Sequence, residues 1–268
     1  MSGSRIATRL HCDEALSAGR ELGLDHARAH FLRSVLRLQR GAELAVFNAR
    51  DGEWRARIDG LGKGWCSLAV IERLRAPQAE PDLWLVFAPI KRARIDFLAE
   101  KATELGVAVL QPVMTRHTAV GRVNCERLAA NAREAAEQCG RLSVPEVRAP
   151  VDFGSLLDDW PRERRILLCA ESGAAEPIAD ALARLRAAGD AGPWAVMLGP
   201  EGGFAESELD ALRDLPFVTA VSLGPRLLRA DTAAVAALAC WQAVLGDGRR
   251  CPTGGAHERP VGPADPAG

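Results

Sequence analysis

Apolar and polar residues alternate over three short runs in the first third of the chain, at residues 43–47, 53–58 and 65–74. A two-residue period predicts half-buried strands. Turn-forming residues separate the runs, at 48–52 and 59–64. A helix is expected over 26–38, with Asp25 as N-cap and Gly41 as stop signal. Its core-facing residues would be Phe31, Val35 and Leu38. Together these elements make a small, mostly β unit.

Past residue 80 the period changes. Strand-like stretches at 83–88, 107–113, 165–170, 194–198 and 218–223 alternate with helical ones. Helix 92–105 gathers Ile95, Leu98, Ala102 and Leu105 on one face. Helix 124–139 has a seam at Cys125, Leu128, Ala132, Ala135 and Cys139. Further helices are expected over 177–188, from about Glu206, and from the loop after 223 to about Leu245. This alternation predicts an α/β fold with a largely parallel sheet. The Pro-rich link Ala76-Pro-Gln-Ala-Glu-Pro81 marks a boundary. The domains expected are 1–76, 77–246 and a disordered Gly/Pro/Arg-rich tail, 247–268.

Charge refines this only locally. The 268 residues carry a formal net charge of −1, so the total does not announce a nucleic-acid partner. Residues 1–76 hold 13 Lys+Arg against 9 Asp+Glu, a local excess of +4. Arginine dominates lysine throughout and tyrosine is absent, which fits coding bias as well as RNA binding. The seven cysteines are scattered, without a C-x-x-C pair, which argues against a zinc site or any other metal centre. No apolar leader opens the chain and no run reaches the roughly 18 residues of a membrane span. A cytoplasmic protein is expected.

Two loops could carry chemistry. In Trp194-Ala-Val-Met-Leu-Gly-Pro-Glu-Gly-Gly-Phe204 an apolar strand runs into three glycines within five residues. Glycine lets backbone approach a ligand closely, and ligands of open α/β sheets sit beyond the strand ends. Neither a Walker loop nor G-x-G-x-x-G is present. Glu201 disfavours phosphate and suits a neutral or cationic ligand. A tight turn without ligand is the bland alternative. The second loop is Ser222-Leu-Gly-Pro-Arg-Leu-Leu-Arg-Ala-Asp-Thr-Ala233, where Asp231 could cap a helix that is apolar from Ala233 to Trp241. A capped core helix is the alternative there. A third feature is the spacing of His26, His30, Arg33, Arg37 and Arg40, which would form a cationic stripe on one helix face. A solvated charged face is its plain counterpart. His117, the only histidine of the α/β segment before the tail, is read as structural.

These motifs together resemble the bacterial 16S rRNA uridine N3-methyltransferases, of the SPOUT class of trefoil-knotted enzymes. Matching pieces are Gly199-Pro-Glu-Gly-Gly-Phe204, Leu223-Gly-Pro-Arg-Leu-Leu-Arg229 with Asp231-Thr-Ala233, Lys101-Ala-Thr-Glu-Leu-Gly-Val107, Glu134-Ala-Ala-Glu-Gln-Cys-Gly-Arg141, and His30-Phe-Leu-Arg-Ser-Val-Leu-Arg37. The likeness spans about residues 5–246. One departure is Ala230-Asp231, where family members usually show Thr-Glu; aspartate keeps the carboxylate but shortens its reach. The resemblance implies a PUA-like β-barrel for RNA docking, a SPOUT-type α/β trefoil knot, a homodimer, and S-adenosyl-L-methionine held against the knot loops.

The cofactor-binding residues then expected are Leu198, Gly199, Gly202, Gly203, Leu223, Gly224, Leu227, Leu228 and Ala233. Uridine N3 must lose a proton before it is nucleophilic. Arg229 is expected to stabilise the resulting anion, with Glu201 or Asp231 orienting or deprotonating. RNA would meet Arg9, His30, Arg33, Arg37 and Arg141, the substrate being 16S rRNA of the small subunit. Rival expectations are a 2′-O-ribose methyltransferase of the same class and a non-catalytic RNA-binding assembly factor. A nucleotide-dependent oxidoreductase is more distant, because neither nucleotide fingerprint is present.

Overall fold

The computed structural model describes residues 6–170, 175–189 and 192–250, with backbone alone at 92 and 93. The expected disordered tail lies, from residue 251 onward, outside the described residues. The chain divides into two compact units, and the break falls between Ala79 and Glu80 inside the Pro-rich link.

The first unit contains β1 (Arg9–His11), β2 (Glu21–Leu24), α1 (His26–His30), β3 (Glu43–Asn48), β4 (Gly52–Gly62) and β5 (Trp65–Arg75). Its sheet runs in the order β1-β3-β4-β5-β2. β1 lies parallel to β3 and the other pairs are antiparallel. Leu10 and Cys12 from one end of the sheet share a core with Leu22 and Leu24 from the other, so the sheet is rolled around that core. Its end strands, β1 and β2, do not pair with each other; the expected barrel is a rolled sheet left open there.

The expected helix over 26–38 is shorter and differently wound. Asp25 does cap it, its carboxylate accepting from the Arg28 N–H at 2.8 Å. After His30 the winding widens to a π-turn over Phe31–Val35, closed by Leu36 N–H donating to the Phe31 carbonyl at 3.0 Å. Arg37 then enters the left-handed region at φ 54°. A π-turn inserts an extra residue per hydrogen-bonded turn, which swings the apolar face. Phe31 and Val35, expected in the core, are exposed, while Leu32 is fully buried.

Glu53 is fully buried. It accepts from Arg9 Nε at 2.5 Å and from Arg75 Nε at 2.6 Å. Arg9 also lies 4.2 Å above the Phe47 ring. Arg9 was expected on the RNA surface; instead it is buried as the counter-ion of a core carboxylate.

The second unit is an α/β sandwich. Its elements are β6 (Leu83–Phe87), α2 (Arg92–Glu104), β7 (Val109–Met114), α3 (Cys125–Cys139), β8 (Glu146–Val147), β9 (Val151–Asp152), α4 (Phe153–Asp158), β10 (Arg165–Cys169), β11 (Glu176–Pro177), α5 (Ile178–Ala187), β12 (Trp194–Leu198), α6 (Glu206–Arg213), β13 (Val218–Ser222) and α7 (Ala230–Val244). The sheet runs β11-β13-β10-β12-β6-β7-β8, with β9 beside β7, and every pair is parallel. Leu83, Leu85 and Phe87 face one core with α2, α3, α5 and α7; Trp84 and Val86 face the other with α4 and α6. Central strands buried on both sides explain the unbroken apolar runs. In α3 the seam is Leu128, Ala132, Ala135 and Ala136, and the expected Cys139 is exposed instead.

Two polar side chains brace this unit. Gln242 of α7 donates to the Leu105 carbonyl at 2.7 Å and accepts from Asp247 N–H at 3.0 Å. A Cβ at Gly106 would stand 2.6 Å from its Nε2. Arg141, also expected to meet RNA, is turned inward: it donates to the carbonyls of Thr103 at 2.7 Å and Val107 at 3.0 Å and pairs with Glu80. It is a clamp on the end of α2, not a free cation. No helix among the described residues is long and apolar enough to cross a membrane.

Desolvation resists the charge on Glu53, but Arg9 and Arg75 together hold its pKa below the ordinary carboxylate value. Such a group contributes stability above its unfolded pKa of roughly 4.3 and loses it as pH falls through the lower folded value. Glu53→Gln should therefore cost roughly 3–5 kcal/mol near neutral pH, because two arginines lose their counter-ion. The cost should shrink toward pH 3. Urea unfolding at both pH values checks this; equal losses would contradict it.

Candidate functional site

The parallel register sets where the site lies. Cys169 at the end of β10 is level with Leu198 of β12 on one side and Val221 of β13 on the other. The loops that leave β12 and β13 therefore start side by side. Between them lies a cavity of about 540 Å³, inside the roughly 300–1,000 Å³ range of small-molecule sites.

The loop after β12 contributes Leu198, Gly199, Gly202 and Gly203 to the wall. The loop after β13 contributes Leu223, Gly224, Leu227 and Leu228, and α7 contributes Ala233. All nine residues expected to hold a cofactor thus share one wall. Gly203 and Gly224 have φ of 69° and 102°, and a Cβ at either would meet nothing within 4 Å. Gly199 is constrained differently: a Cβ there would stand 3.0 Å from the Phe204 ring, which itself packs on Phe153 at 6.2 Å between centroids. The wall offers backbone polar groups and aliphatic side chains, with Arg226 at its charged part, a surface suited to an uncharged ring and an extended chain.

The three expected catalytic residues flank this wall. Glu201 is exposed between Pro200 and Gly202. Arg229 is exposed and forms the N-cap of α7, with no side-chain capping bond. Asp231 was expected to cap that helix; it lies inside the first turn, half-buried, and accepts from the Thr232 N–H at 3.0 Å. The cap is Arg229 because α7 starts two residues earlier than a capping aspartate would allow. His30, Arg33 and Arg37 are exposed in the first unit, but the π-turn and the left-handed Arg37 keep them from forming one straight helical stripe.

Sequence reasoning missed how the glycine loop is held. His117 Nδ1 lies 3.2 Å from both the Gly202 and the Gly203 carbonyl oxygens. Two acceptors require that nitrogen to carry the proton. Glu208 is buried and accepts from Ala205 N–H at 2.8 Å and from Arg116 N–H at 2.9 Å. These bonds tie the turn after β7 to the start of α6 and to the cavity wall. Glu208 had a legible signal, an acid three residues into a helix. His117 had none, since its partners lie 85 and 86 residues away.

Cys169 and Ala170 also line the cavity. Burial, with a smaller contribution from Cys240, pushes the Cys169 thiol up to about 12, so it is no thiolate nucleophile at neutral pH.

Fold and cavity define an α/β protein that holds a small ligand beyond the carboxyl ends of a parallel sheet. Residues 77–242 match the family model described as an RNA methyltransferase domain, and residues 24–70 match an RNA methyltransferase PUA domain. The chain belongs to this RNA methyltransferase family. A Rickettsia conorii protein called ribosomal RNA small subunit methyltransferase E is 33% identical over 219 residues, 82% of this chain and 87% of the relative. The crystal structure of a protein of the same name from Neisseria gonorrhoeae, bound to S-adenosyl methionine, matches with a TM-score of 0.78 at 28% identity, covering 90% of this chain and 99% of that one. A Legionella pneumophila structure with bound SAM gives 0.79 at 27% identity, covering 91% and 99%.

Replacing Glu208 with alanine removes the acceptor of two N–H donors, a buried one at Ala205 and a partly buried one at Arg116. The expected loss is roughly 1–3 kcal/mol of stability, with Glu208→Gln losing less. Chemical denaturation of both variants measures it, and an unchanged midpoint for Glu208→Ala would refute the brace.

Proposed function

We propose that this chain uses S-adenosyl-L-methionine to methylate N3 of a uridine in 16S rRNA of the small ribosomal subunit, in the cytoplasm. The observation that carries the reading is a cavity at the ends of β10, β12 and β13 whose wall includes all nine residues named for the cofactor. Its size and its glycine-rich, largely aliphatic wall, with Arg226 as the charged side chain in the lining, fit an adenosine ring with a methionine chain. The cofactor, when bound, supplies the electrophilic methyl group.

What the chain's own residues contribute is binding, alignment and charge. Backbone groups of the two loops hold the ligand, and Leu198, Leu223 and Leu228 cover its apolar parts. Arg229 stands next to Leu228 and Ala230, both of which line the cavity. From there its guanidinium stabilises the uridine anion that forms as N3 gives up its proton. Glu201 or Asp231 accepts or orients that proton. Positioning of the base against the donor contributes several kcal/mol more. The first unit docks the RNA through the exposed side chains of His30, Arg33 and Arg37.

The reading includes a SPOUT-type trefoil knot and a homodimer. In support of the knot, the cavity gathers the ends of three neighbouring strands and the loops after β12 and β13, and α7 returns from it to pack in one core with α2 and α5. Light scattering of the purified chain tests the dimer.

Arg229→Ala should lower methyl transfer to small subunits by about a hundredfold or more, the scale of losing one oxyanion-type contact. S-adenosylhomocysteine affinity should stay within about threefold in calorimetry. Full turnover in that variant would remove Arg229 from the chemistry. Mass spectrometry of digested product RNA places the methyl group; a methyl on a ribose 2′-oxygen would overturn the N3 assignment.

A further inference from the structure

Trp65 opens β5 just past the β4–β5 turn and is 55% exposed, the bulkiest exposed apolar side chain among the described residues. Its ring is seated, not dangling. A Cβ at Gly62 would stand 2.0 Å from the ring Nε1, and one at Gly60 would stand 2.6 Å from Cζ3. Neither glycine adopts a positive φ, so neither is needed for an unusual backbone shape. What both supply is a missing side chain. Gly62 pairs with Trp65 and Gly60 with Ser67, so the ring lies diagonally over the strand pair. With one side of the indole against backbone, the other is left to solvent.

The surroundings are cationic. His26, the first residue of α1, packs on the same turn: a Cβ at Gly64 would stand 2.6 Å from its Cδ2. Lys63 is exposed in the turn. Residues 25–40 hold four arginines, at 28, 33, 37 and 40, against one acid, Asp25. Asp25 caps α1 and lies 4.0 Å from Arg28, and Asp59 pairs with Arg40 at 3.4 Å, which leaves Arg33 and Arg37 as the excess charge of this stretch.

We infer that Trp65 is a stacking platform for an unpaired nucleobase of the RNA substrate, with Lys63, His26 and the arginines of 25–40 attending the adjoining phosphates. This rests on the RNA methyltransferase reading and adds a site to it. Every base has a π-face, so an open indole takes a single-stranded base without reading its identity. A duplex, whose bases are already stacked, offers none. A protein partner would also cover an exposed indole, but the cationic border favours a polyanion.

The test uses the full chain, a fluorescein-labelled single-stranded oligoribonucleotide and a duplex of equal length, read by anisotropy. Trp65→Leu keeps an apolar cover over Gly60 and Gly62 but removes the π-face, and Trp65→Phe restores a smaller one. The leucine variant should bind the single strand about tenfold more weakly, within the range of losing one stacked base. Its duplex affinity, salt dependence and S-adenosylhomocysteine affinity should not change, and the phenylalanine variant should recover most of the loss. Equal single-strand binding by Trp65→Leu would overturn the platform while leaving the enzyme reading intact, as would parallel losses on single strand and duplex. Failure of the unaltered chain to bind either RNA would instead sink the docking reading and the platform with it.

Discussion

Three strand ends held level by parallel hydrogen bonding are the constraint on which the functional half of this molecule depends. β10 lies between β12 and β13, and its last residue, Cys169, is in register with the last residue of β12 and the last but one of β13. Chain order alone would not bring residues 198 and 223 together; the intervening strand does. A register slip of one residue would invert every side chain of the slipped strand. The separation of Leu83, Leu85 and Phe87 from Trp84 and Val86 into two cores makes such a slip costly. The site is therefore fixed by strand packing that extends well beyond the cavity wall.

Arginine has two separate uses in this chain. Arg9, Arg141 and Arg164 are buried fixtures: Arg9 neutralises Glu53, Arg141 gathers two carbonyls at the end of α2, and Arg164 pairs with Asp82 while donating to the Trp194 carbonyl. The planar guanidinium suits this, having several donors in a fixed fork. Arg33, Arg37 and Arg40 stand in solvent. Composition counts both kinds alike, and only burial separates a structural arginine from one available to a polyanion.

Much of this was legible beforehand. The strand 194–198 and the start of α6 at Glu206 match the periodic reading, because both-face burial and a sharp glycine boundary leave a strong local signal. The cavity wall was legible for the same reason, its glycines following directly on strand ends. β1, β2, β8, β9 and β11 were not read, being two to four residues long and lacking a period. The π-turn escaped because nothing in Phe31–Val35 announces a change of winding; the need to bury Leu32 and still turn toward β3 decides it. Arg9 and Arg141 were misjudged because their partners, Glu53 and Glu80, are 44 and 61 residues distant.

The contact between Gly106 and Gln242 has a consequence for how this chain can vary. The end of α2 and the last helix meet there with no room for a methyl group, and Gln242 spends its amide on the Leu105 carbonyl. A larger residue at 106 would need a shorter one at 242, and a shorter one at 242 would strand that carbonyl. Lineages descending from this sequence should alter the two sites jointly or leave both alone, so the pair would surface as a covarying signal between segments that look unrelated on paper.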